Sequence, residues 1–176
     1  MPDFFARGAF GAPWYSFGTV YAILFPKDRA QKMTNEEKFE YWLDIAQYDL
    51  KTAVAMYKSG RWLYVVFSCE QSIEKLVKGL YILYLGKAAH KIHDIRILFL
   101  EFRDKLTVPV EEATLVFFSR LSAFYLNTRY TDYKQKLSTA VSKQDAKTTL
   151  KKTKEVFTWL LTLKPSTESS GNTSTT

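Results

Sequence analysis

Steps of three and four between apolar residues constrain this chain more than any other feature. From Phe39 they fall at 39, 42, 46, 50, 53 and 57, which keeps them on one side of an α-helix. The spacing predicts a first helix from about Asn35 to Lys58, with Thr34 and Glu37 as a capping box at its start. Gly60 ends it. A second period begins at Trp62 and runs through Val65, Val66, Cys69, Ile73, Leu76, Val77, Leu80 and Leu83 to Gly86. Residues 59–61 are too short a link for anything but an antiparallel pair in which each stripe covers the other.

After the stretch KAAHKIH, a shorter helix is expected with Ile95, Leu98, Phe99 and Phe102, and another opening at Pro109 with Leu115, Phe118, Leu121 and Tyr125. Residues 127–141 read as an irregular connection. Ser142 is placed to cap a last helix, with Ala146, Leu150, Thr153, Phe157 and Leu160 inward and Lys143, Lys147, Lys151 and Lys154 outward. No segment alternates with period two. The predicted fold class is all-α, an up-and-down bundle of four or five helices with long antiparallel members.

Composition agrees and excludes several functions. The chain has 176 residues, 47% hydrophobic and 24% charged, enough for one domain with a sizeable core and unlike either a disordered protein or a multi-domain enzyme. One cysteine, Cys69, makes no internal disulfide, and two histidines are too few for a structural zinc site. A reducing cytoplasm is the default compartment. No GxGxxG or GxxxxGK[ST] arrangement occurs, so any nucleotide must be held by side chains.

The ends read differently from the body. Residues 1–32 are rich in Gly, Pro and aromatics without helical period, and they make a poor signal peptide because Asp3 precedes Arg7 and the apolar run 19–25 is short. They are expected to be an extension with little structure, upstream of a natural start at Met33. The bundle is expected over residues 33–164, and the small polar residues 165–176 as a disordered tail. The net charge of +7 is concentrated, since residues 133–164 carry eight Lys against Asp145 and Glu155. Such a face is either simply solvated or a surface for RNA, nucleotide phosphate or an acidic partner.

The ordered series Trp42, Ala46, Asp49-Leu50, Gly60, Tyr64, Glu70-Gln71, Glu74-Lys75, Lys78, His93-Asp94-Ile95 and Arg129-Tyr130 with Asp132 resembles the pattern of the HEPN family, helical domains of higher eukaryotes and prokaryotes. The resemblance spans roughly residues 39–161. It implies a homodimeric bundle, often encoded beside a minimal nucleotidyltransferase, with some members acting as toxin-like RNases and others binding nucleotides such as ATP or GTP. The RNase members use an Arg followed about four to six residues later by a His as general base. This chain departs from that pattern, because after Arg129 it reads YTDYKQK and its histidines are His90 and His93. Tyrosine, with a pKa near 10, is a poor base at neutral pH.

The site is therefore expected to bind rather than to cleave. Arg129 supplies a bidentate donor for phosphate, Tyr130 and Tyr133 a stacking surface or, as the resemblance implies, a target for a partner transferase, and Asp132 an acceptor. Equally, Arg129 and Asp132 form a structural ion pair, tied to helix two through Glu70 or Glu74. Gln71, Glu74, Lys75 and Lys78 share a helix face and either line a cleft or pair with one another. His93 joins the site, or His93-Asp94 serves as a helix N-terminal device. The leading expectation is a nucleotide-binding homodimer that partners a nucleotidyltransferase in a toxin-antitoxin-type pair or as its substrate-binding subunit. The alternatives are a ribonuclease with a variant site around Arg129 and a non-catalytic RNA-binding scaffold. No metal and no membrane is expected.

Overall fold

A computed structural model describes residues 33–128 and 141–165. The expectations for residues 1–32, for 129–140 and for the tail from 166 lie outside the described residues. Among the described residues five α-helices follow one another: α1 Asn35–Lys58, α2 Trp62–Leu85, α3 Ile95–Leu100, α4 Glu112–Thr128 and α5 Lys143–Thr162, with a 3-10 turn at Arg103–Lys105. No strand occurs among the described residues. The bundle is all-α, as the apolar period requires.

The long pair takes the bounds that the spacing predicts. Between α1 and α2 the chain turns at Gly60, whose φ of 72° is the left-handed conformation that glycine adopts without a Cβ penalty. The turn is closed by Arg61 N–H donating to Met56 C=O at 3.0 Å. Gly86 ends α2 in the same conformation, its N–H donating to Ile82 C=O. At Gly79 the helices pack so closely that a Cβ would lie 3.0 Å from Phe39 Cδ2 and 3.2 Å from Trp42 Cβ. Ser72 Oγ donates to Ala46 C=O at 2.8 Å and fixes the register between the pair.

α2 is the axle of the bundle. It packs against α1, α3, α4 and α5, and every residue from Ser68 to Ile82 is buried. A helix covered on all sides has no solvated face for its polar residues, so those within α2 must find partners inside the bundle. α5 lies antiparallel to α1 and parallel to α2, because Lys164 Nζ donates to Glu40 Oε1 at 2.7 Å and Tyr84 O–H to Leu163 C=O at 2.5 Å. Its start is fixed by Ser142, the expected cap, which forms a reciprocal box with Asp145: Asp145 N–H donates to Ser142 Oγ and Ser142 N–H to Asp145 Oδ2, both at 3.1 Å. These bonds hold the Asp145 carboxyl below its usual pKa.

Two expected boundaries shift. The short helix stops at Leu100, and Phe102 reaches the core from the turn that leads into Arg103–Lys105, where its ring meets Phe99 at 5.0 Å. The next helix starts at Glu112 rather than Pro109: Val110 packs on the core from the non-helical lead-in, and the first turn closes only where Thr114 N–H donates to Glu111 C=O. Among the described residues, no helix is long and apolar enough to cross a membrane.

Candidate functional site

The buried face of α2 carries charge. Glu70, Gln71, Glu74, Lys75 and Lys78 are all buried although none is apolar, and helical spacing sets Gln71 beneath Lys75 and Glu74 beneath Lys78. Buried charges persist only when paired, and these are. Glu74 Oε1 accepts from Lys78 Nζ at 2.5 Å and from Lys75 Nζ at 3.4 Å, while its Oε2 faces His93 Nδ1 at 3.1 Å. Lys75 Nζ also donates to Gln71 Oε1 at 2.9 Å, and Gln71 Nε2 to Glu70 Oε2 at 2.6 Å. His93 arrives from the α2–α3 connection and turns Nδ1 to Glu74, which fixes the orientation of the ring.

The acids of this network are in different states. Burial works to raise the pKa of Glu74, but the His93 bond and the Lys75 and Lys78 ammonium groups outweigh it and hold the carboxylate ionised well below its usual range. Glu70 is pushed the other way, by burial and then by the neighbouring Glu74 charge. Asp49, across on α1, is raised by burial to about 6, with Lys75 opposing. Burial also lowers the Lys75 pKa, against the pull of Glu74. One oxygen each of Asp49 and Glu70 is enclosed without a hydrogen-bond partner. The network is thus a clamp on one ionised carboxylate, flanked by two carboxyls that burial drives toward the neutral form.

Of the residues that the sequence singles out, Gln71, Glu74, Lys75, Lys78 and His93 come together here. Arg129, Tyr130, Asp132 and Tyr133 lie outside the described residues. Asp94 is the N-cap of α3, accepting from Ile97 N–H at 3.0 Å, so the Asp of the His93-Asp94 step is a helix N-terminal device, while His93 itself turns to Glu74. Glu70, weighed above as an anchor for the Arg129 pair, and Asp49, noted above within the family series, also belong to the network. Glu70 had a signal, since it precedes Glu74 by four residues within an apolar helix and like charges so placed need a reason. Asp49 entered through the family series alone, since its place on the half-exposed side of α1 gives no local sign of an approach to Lys75.

Only the edge of the network meets solvent, with the His93 side chain 28% and Lys78 11% exposed. What it offers a ligand is an ammonium and an imidazole, backed by a fixed negative charge. Two surface cavities, of about 240 and 220 Å³, include no network residue. No group of three His, Cys, Asp or Glu among the described residues is arranged to hold a metal ion.

A long antiparallel helix pair, a short α3 packed on α2 and a closing α5, with paired charges inside the axle helix, define an up-and-down helical domain. The HEPN-domain family model matches residues 39–164, and the chain belongs to that family, a nucleotide- and RNA-related one. Its fold is similar to that in the crystal structure of TT1696 from Thermus thermophilus, with a TM-score of 0.61 at 22% identity, over 71% of this chain and 97% of that one. No curated protein matches the sequence at a significant level.

Proposed function

We propose that the protein is a cytoplasmic, homodimeric nucleotide-binding module that partners a minimal nucleotidyltransferase, as a toxin-antitoxin-type pair or as the substrate-binding subunit. The observation that carries this reading is the Glu74 clamp, which holds Lys78 and His93 at the surface edge of a buried network. Preordered cations of this kind suit the phosphates of ATP or GTP, since little side-chain entropy is left to lose on binding. Arg129, which follows α4 directly in sequence, would add the bidentate donor, and Tyr130 and Tyr133 would stack on the base or accept a nucleotide from the transferase. With no His placed after Arg129 to serve as base, the reading is binding rather than cleavage. The exposed Ile97, Leu100, Val108 and Val116 provide apolar surface for a dimer to cover.

Size-exclusion chromatography with light scattering should give twice the chain mass, and ATP or GTP should raise the melting temperature. At a ligand concentration about a hundredfold above Kd the stabilisation is about 2.7 kcal/mol. Lys78→Gln should weaken that shift. A monomer that melts identically with and without either nucleotide sinks the proposal.

A further inference from the structure

The lysines of α5 face a groove that the proposed site does not use. A cavity of about 220 Å³ is lined by Tyr57 of α1 and by Lys147, Leu150, Lys151 and Lys154 of α5. Its floor is apolar, with Leu150 in the core cluster and the Tyr57 ring backed by Trp62 at a centroid distance of 5.3 Å. Its rim is three ammonium groups, spaced four and three residues apart, hence about 6 and 4.5 Å along the helix axis. Like charges at these spacings act against the helix, and few carboxylates relieve them. Glu155 is shared between Lys151 at 4.0 Å and Lys152 at 3.7 Å. Asp145 is engaged by Ser142. Lys147 and Lys154 have no carboxylate within 4 Å among the described residues.

We propose that this groove holds a short stretch of single-stranded nucleic acid, with successive phosphates along Lys147, Lys151 and Lys154 and a base laid against Tyr57. A row of point charges beside an aromatic platform is the general means of gripping a single strand without reading its sequence. The absence of arginine from the groove fits such use, because lysine supplies charge without the planar fork that selects a particular group. An acidic polypeptide would satisfy the lysines, but its carboxylates would leave the Tyr57 ring on the groove floor without a stacking partner. The groove shares no residue with the Glu74 network, so the two sites can be tested apart.

The test is fluorescence anisotropy of a labelled oligouridylate with the full chain, across a salt series. Three phosphate contacts predict a slope near −2 in log K against log salt, or roughly a twentyfold loss of affinity between about 50 and 200 mM. Replacing Lys147, Lys151 and Lys154 together by Gln should abolish most of that slope. Because all three are exposed, the variant's melting temperature checks that it stays folded. Tyr57→Leu should lower affinity about fivefold or more with the slope retained. Two outcomes overturn the proposal: the triple variant keeps wild-type affinity and slope, or a polyglutamate peptide competes as well as the RNA and Tyr57→Leu has no effect, which would assign the groove to an acidic protein. ATP-induced thermal shifts should be unchanged in the triple variant, which separates a failure here from a failure of the nucleotide site.

Discussion

Replacing Glu74 by Gln keeps the shape of the side chain and removes its charge, and so asks whether ions hold the centre of α2 together. Glu74 is wholly buried and serves Lys75, Lys78 and His93 at once. An amide has one acceptor oxygen for these three partners, and its NH2 group would point a donor at another donor. Lys75, 1% exposed, would keep Gln71 as a neutral partner and two carboxyls, Glu70 and Asp49, that burial drives toward the protonated form. Removing one member of a buried pair costs about 3–5 kcal/mol, a large share of the roughly 5–15 kcal/mol that holds a domain folded. At about 4 °C per kcal/mol for a bundle of this size, the melting temperature should fall by about 12–20 °C.

The variant should also acquire a distinctive pH dependence. Burial already depresses the Lys75 pKa, and Glu74 opposes that shift; without Glu74 the depression deepens. Between the folded and unfolded pKa values the unfolded chain then binds more protons, so the variant's stability should climb with pH toward the free lysine value near 10.4. Urea denaturation at pH 6, 8 and 9.5 measures both effects. A loss below about 1 kcal/mol, with a pH response no steeper than that of the wild type, would refute the ionic account. Adding Lys75→Met to Glu74→Gln should recover much of the lost stability, since an apolar replacement of a whole buried pair is often neutral or better.

Asp49→Asn should stabilise the protein by about 1 kcal/mol at pH 7, after allowing for solvent screening of a part-exposed group, and by nothing at pH 4. The wild-type carboxyl, with its pKa raised to about 6, binds more protons folded than unfolded between pH 4 and 6, so its contribution to stability declines as pH rises through that window. Denaturation midpoints of both proteins at the two pH values check this, and equal gains at both would contradict it. Gly79→Ala should destabilise by about 1–3 kcal/mol, because the added methyl meets Phe39 and Trp42 at 3.0 and 3.2 Å and this outweighs the gain in helix propensity. A rise in the chemical denaturation midpoint would show that the helices part to admit the methyl group.

The helices were legible because their information is local. Apolar steps of three and four, Gly60, Gly86 and Ser142 each act within a turn or two of chain, and the bounds of α1, α2 and α5 follow from them. The start of α4 was not, because Pro109 permits a helix start there, whereas packing of Val110 delays it. Helical spacing likewise put Gln71, Glu74, Lys75 and Lys78 on related faces. It did not reveal that the face is buried, which depends on α1, α3, α4 and α5 closing round α2. Nor did it join His93 to Glu74 across nineteen residues, or bring Asp49 in from α1, since those approaches exist only in the folded bundle.

The turn at residues 59–61 bears on the order in which the protein is made. α1 and α2 leave the ribosome first among the described helices and are joined by the shortest of their connections, and contacts between such neighbours close in microseconds while synthesis adds about 5–20 residues per second. Asp49, Glu70, Gln71, Glu74, Lys75 and Lys78 all reside on that hairpin. The charged centre is therefore expected to be brought together during translation, with His93 and then α5 arriving later to seal an arrangement already in place.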